Sequence, residues 1–214
     1  MSLEKEVQEA VGDLLNRLRG SIESELTGVV KATHAEQAVL SRVLAGVRRL
    51  DADTTLTAVL DSLGDIIAAL SGRAVLLVVE ENGKIRPWRF VGFSPDRGDV
   101  SALPLTDADV SFMNKIIFQR QTCLLSSTDE GGTNSGKLSF AELTEGRHAL
   151  VVPVVIGDDV MVLVYADNVS FVPPLSVLSW SEAVELLARY AGRRLEGLTI
   201  ERALSSTGKS TVRN

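Results

Sequence analysis

Few residues in this chain offer chemistry, and their spacing limits what each can do. The run GGTNSGK, Gly131 to Lys137, imitates a phosphate-cradling loop, in which glycines let successive backbone N–H groups face a phosphate before a lysine and a hydroxyl. Leu138 stands where the hydroxyl residue belongs, and the pattern lacks a preceding strand and a long following helix. The run therefore reads as a glycine-rich loop. Cys123 is the only cysteine, which excludes an internal disulfide and leaves too few thiols for a structural zinc site or a resolving dithiol. Its setting, QTCLL, is apolar and points to a buried, inert thiol. Of the two histidines, His34 reads as a solvated side chain between two helical stretches. His148 opens an apolar strand, where it can serve a ligand or a haem, or simply pack. No Ser, His and Asp set and no paired carboxylates stand out, so no catalytic residue, metal ligand or cofactor is assigned. What remains for binding is shape.

The composition frames that conclusion. A chain of 214 residues with 45% hydrophobic and 23% charged residues suits one soluble domain plus an accessory element. No apolar run approaches the roughly 20 residues of a bilayer span, so membrane insertion is not expected. The opening MSLEKEVQEA carries acids where an export signal carries bases, which makes the cytoplasm the expected location. A net charge of −6 disfavours nucleic acid as a partner.

The elements that must position any site follow from periodicity. Leu3, Val7, Val11, Leu14, Leu18, Ile22, Leu26 and Val29 recur at helical spacing, and Val39, Leu40, Val43, Leu44, Val47 and Leu50 do so again. Residues 1–50 are therefore expected as an amphipathic helical extension that dimerises, as one helix or two. Asp51 or Asp53 is placed to cap a helix carrying Leu56, Leu60, Leu63, Ile67 and Leu70. A hairpin follows, from Ala74–Val79 through Glu81-Asn82-Gly83 to Ile85–Phe93. Thr106 and Asp109 form a capping box for a helix to about Arg120, and Thr122–Ser126 is a short strand. Ser127–Gly146 is a long polar loop with a short turn at Phe140–Leu143, of the kind often used as a lid. Ala149–Asp167 is a hairpin turning at Gly157, Asp158 and Asp159, apolar enough on both arms to be covered on both faces. Ser179 and Glu182 are placed to cap a last helix bearing Trp180, Val184, Leu187, Ala191, Leu195 and Leu198. Residues 204–214 read as a flexible tail.

This order gives an α+β plan, an antiparallel sheet with helices from both ends of the chain. From Asp51 to Arg202 it resembles a GAF domain, of the GAF/PAS-like sensory superfamily. Pro153 and Val154 match that family's proline-plus-apolar step before the last hairpin turn, Gly157 its glycine turn, and Thr122–Ser126 followed by Asp129 its short strand ending near an aspartate. Met161 and Leu178 depart from the usual glycine and aromatic. The cyclic-nucleotide motif is matched at Asn168 alone, with Val169, Leu178 and Glu182-Ala183 replacing its other residues, so no cyclic nucleotide is implied. The single Cys123 cannot run the family's methionine sulfoxide reduction, which needs a resolving thiol, and its apolar strand does not suit bilin attachment.

The resemblance implies residues 51–203 as a GAF-like domain with Phe90, Phe112, His148 and Tyr165 around a ligand pocket. The function it implies is that of a non-enzymatic sensory or regulatory module in bacterial-type signalling. Such a module binds a small molecule, forms a homodimer through its N-terminal and C-terminal helices, or does both, and meets a signalling partner. The alternative is an interaction scaffold of the same fold whose interior is filled by its own side chains.

Overall fold

A computed structural model of the protein describes residues 37–93, 105–126, 138–141, 143, 147–168 and 177–210. The stripe from Leu3 to Val29, His34, the run Gly131–Lys137, Asp129, and Pro173 with Pro174 lie outside the described residues. The chain divides into two compact units, Met1–Leu40 and Ser41–Asn214. Only residues 37–40 of the first are described, all helical.

The second unit is built on five antiparallel strands in the order β2-β1-β5-β4-β3. In chain order, helix α1 covers residues 41–52 of this unit. It is followed by α2 Leu56–Ser71, β1 Arg73–Val79, β2 Ile85–Val91, α3 Asp107–Gln119, β3 Cys123–Ser126, β4 His148–Ile156, β5 Asp159–Asp167 and α4 Val177–Ser210. The α+β plan expected from periodicity is the plan observed, and the differences are local. Thr55, not Asp51 or Asp53, caps α2 by accepting the Ala58 N–H, because α1 runs through Asp51. Asp159 is already in β5, paired with Ile156, so Gly157 and Asp158 alone make the reversal, with Gly157 at φ 60°. Helix α4 begins at Val177, ahead of the expected cap at Ser179, and runs to Ser210, into the segment read as a tail from residue 204.

The central strands β1, β5 and β4 are buried on both faces because helices cover one side and a loop and α3 the other. On one face, α2 and α4 pack on the sheet and on each other, burying Leu63, Ile67, Val184, Leu187 and Ala191. Tyr190 and Arg194 tie α4 back to the end of α1 and the loop before α2, through hydrogen bonds to the Asp51 carboxylate and the Asp53 carbonyl. On the other face, Val75, Leu77, Val151, Leu163 and Tyr165 meet Met113 and Ile116 of α3 and Leu138 and Phe140 of the following loop. Proline is tolerated at two strand positions because of topology. Pro87 sits in the edge strand β2, and Pro153 lies beyond Val151, the last β4 residue that β3 reaches. No described helix is long and apolar enough to cross a membrane.

Candidate functional site

The α3 face holds a column of four aromatic rings. Phe93 meets Phe90 edge to face with centroids 5.5 Å apart, Phe90 meets Phe140 at 6.0 Å, and Phe140 meets Tyr165 at 5.1 Å. Edge-to-face packing sets the positive rim of one ring against the negative face of the next, adding to the burial energy. Phe140 and Tyr165 are fully buried, whereas Phe90 and Phe93 are only partly covered.

A polar chain closes the column into a loop. The Tyr165 hydroxyl donates to Asp167 Oδ2 at 2.7 Å, and Asp167 accepts from Arg73 Nε at 2.9 and 3.0 Å. The Arg73 guanidinium then lies over the Phe93 ring, 4.6 Å from its centre, in cation–π geometry. Strand alternation explains the convergence. Tyr165 and Asp167 are two residues apart on β5 and so share a face, and Arg73 is the register partner of Asp167 on β1. Burial, the Asp167 charge and the hydrogen bond to Asp167 push the Tyr165 phenol far above the usual range, against a smaller opposing effect of Arg73. The hydroxyl is thus a fixed donor, with neither the acidity nor the exposure of a catalytic base.

Phe140 is held in the column by a second polar device. Asp109 accepts the Ser139 backbone N–H at 2.8 Å and the Ser139 hydroxyl at 2.6 Å, while also accepting the Thr106 backbone N–H at 2.8 Å. One carboxylate therefore caps α3 and fastens the loop carrying Phe140. Burial alone would raise the Asp109 carboxyl, but the hydrogen bonds from Ser139 and Thr106 outweigh it and hold the group below its ordinary value.

Of the four residues expected around a pocket, the structure brings Phe90 and Tyr165 into one column, and Phe112 packs on the same cluster from α3. His148 falls elsewhere. Its neighbour Ala149 belongs to the α3-face cluster, so alternation turns His148 to the face of α2 and α4. There its backbone N–H donates to Asn168 Oδ1 at 3.0 Å and its carbonyl accepts the Asn168 N–H at 3.2 Å. Sequence pattern alone does not mark Phe93, Phe140, Arg73 and Asp167 as site residues. The available signal was a charged residue at the end of each of two apolar runs, Arg73 before AVLLVV and Asp167 after VLVYA, which only the strand register turns into a pair.

No protein-family model and no curated protein sequence matches the chain. Solved structures do match. The GAF domain/HD domain protein from Geobacter sulfurreducens is 19% identical, with a TM-score of 0.54 over 71% of this chain and 99% of that one. Residues 122 to 287 of a methyl-accepting chemotaxis protein match at 14% identity and a TM-score of 0.59, covering 74% and 99% of the two chains. The GAF domain of the potassium sensor histidine kinase KdpD from Escherichia coli matches at 13% identity and 0.51, covering 76% and 96%. With its strand order, its helices on one face and its α3 and loop on the other, this chain has a GAF-like fold.

Proposed function

We propose that the protein is a non-enzymatic sensory module of bacterial-type signal transduction in the cytoplasm, in which a small molecule takes the place of Phe140 between Phe90 and Tyr165. One observation carries this reading: the aromatic column abuts the Arg73–Asp167 pair, at the junction where α2 hands over to β1 and β5 leaves toward α4. A guest that moves Phe140 bears on Tyr165, and through Asp167 and Arg73 on the end of α2, which packs with α4 on the opposite face. It shifts those helices only to the extent that it binds one of their arrangements more tightly than the other. The chemotaxis and sensor-kinase proteins that share the fold support a signalling role. Exposed Leu44, Ile200 and Leu204 support the reading that α1 and α4 meet a second copy of the chain.

The full burial of Phe140 favours a second reading, a scaffold whose interior is its own ligand. Native mass spectrometry of protein purified from its source separates the two. A dimer that retains a small molecule, lost on Tyr165→Ala, supports sensing. A dimer with no adduct supports the scaffold, and a bare monomer contradicts both.

A further inference from the structure

A groove of about 680 Å³ opens at the edge of the sheet, where the C-terminal end of α3, the edge of β4 and the outer face of α4 meet. Its origin is topological. Strand β3 pairs with β4 only as far as Val151, so the edge of β4 at Pro153 and Val155 is left beside α4 without a neighbouring strand among the described residues. Pro153 has no N–H, which prevents another strand from continuing the ladder there. A groove of this size with an apolar floor and a blunted edge suits a small molecule better than an added strand.

The groove also has a charge. Arg120, Arg189 and Arg193 line it, with Glu185 as the one acid among the lining residues. Glu185 is engaged by Arg189 at 2.6 Å, which leaves two arginines in excess. Neither the Arg120 nor the Arg193 side chain has an ion-pair or hydrogen-bond partner among the described residues. Arg120 is further marked by its backbone. It caps α3 at φ 54°, and it is the only non-glycine residue with positive φ among those described. Glycine would take that position at no steric cost, and the arginine there instead brings a guanidinium to the groove. Apolar contact is available beside the cations from Val152, Pro153 and Leu186, the last more than half exposed.

We propose that this groove binds a small amphipathic anion, a carboxylate or phosphate monoester whose charged head is held by Arg120 and Arg193 and whose apolar body lies on Pro153 and Leu186. Guanidinium groups suit both heads because their N–H pairs match two oxygens at once. The groove's lining shares no residue with the aromatic column, and the site stands whether or not that column takes a guest.

Titration of the full chain with octanoate, octyl phosphate and octanol, followed by amide chemical shifts, tests the proposal. Octanoate or octyl phosphate is expected to move Gln121, Thr122, Leu186 and Arg193, and the tighter of the two identifies the head group. Octanol is expected to bind at least about tenfold more weakly. Arg193→Glu and Arg120→Gly should each weaken the anion by about tenfold or more, Arg120→Gly without lowering the melting temperature. Equal binding of octanol, shifts centred on Phe90 and Tyr165, or wild-type affinity in Arg193→Glu would overturn it.

Discussion

Arg73 and Asp167 face each other across β1 and β5 and form a two-pronged ion pair in the interior, with Nε to Oδ1 at 2.9 Å and Nη2 to Oδ2 at 2.7 Å. Asp167 is fully buried and Arg73 nearly so. Removing one member strands the other's charge away from water, which outweighs the Coulomb energy of the pair itself. Asp167→Ala is therefore expected to lower unfolding free energy in urea by about 3–5 kcal/mol. Replacing both, as Arg73→Met with Asp167→Leu, together with Tyr165→Phe so that no hydroxyl is left without its acceptor, is expected to recover most of that loss. A single substitution costing under about 1 kcal/mol would show that water reaches the pair.

Tyr165 gives the same network a pH signature. Its phenol is raised in the folded protein above the ordinary 10.0, so the folded state keeps a proton that the unfolded chain releases. The stabilisation is therefore complete below about pH 10 and falls as pH rises beyond it. Tyr165→Phe is expected to cost about 1.5–3 kcal/mol at neutral pH, the worth of a hydrogen bond to a charged acceptor. It should also flatten the alkaline decline in stability measured by urea unfolding from pH 8 to 11. An unchanged alkaline slope would mean that another group carries it.

These two residues also show where the sequence is legible and where it is not. Periodicity places the helices and strands, because the 3.6 and 2.0 repeats are imposed by burial on each element separately. Thr106 and Asp109 are readable as a capping box because both partners lie within one turn, and the structure forms that box. The Arg73–Asp167 pair spans 94 residues of chain and depends on register across two strands. His148 shows the cost of that ignorance. One step along β4 separates the face of Tyr165 from the face of α4, and no composition signal distinguishes them. The inward position of Phe140 is illegible for another reason, since its loop has no repeat from which inward and outward positions can be told.

Asp109 joins the α3 cap to the Phe140 loop, so its loss should act on both. Asp109→Ala removes the acceptor for Thr106 and for both Ser139 donors, with an expected cost of about 2–4 kcal/mol from a lost cap and lost charge-assisted bonds. Hydrogen exchange at the Ser139 amide should accelerate more than that in β4. The pH sign is opposite to that of Tyr165. A carboxyl held below its ordinary 3.8 contributes stability that is complete above that value and is lost as pH falls through the folded value. Urea midpoints from pH 5 down to pH 2 should therefore fall less steeply in Asp109→Ala than in the wild type. Equal slopes would assign the acid sensitivity to other carboxylates.

Gly92, at the end of β2 beside Phe93, sets how closely the aromatic column can approach the α2–β1 junction. It adopts φ 82°, and a Cβ there would lie 2.2 Å from the Gly72 carbonyl oxygen, a backbone atom with no rotamer to move aside. Gly83 has a similar φ of 77° in the β1–β2 turn but open space around it. The pair separates two effects that glycine substitutions usually mix. Gly83→Ala meets only the left-handed backbone, with an expected cost of about 1–2 kcal/mol. Gly92→Ala meets that cost and forces β2 away from Gly72, so its destabilisation should exceed that of Gly83→Ala by at least about 2 kcal/mol. It should also shift the Phe93 and Arg73 resonances, which Gly83→Ala leaves in place. If the two variants unfold at the same urea concentration, the contact between Gly92 and Gly72 does not constrain the end of β2.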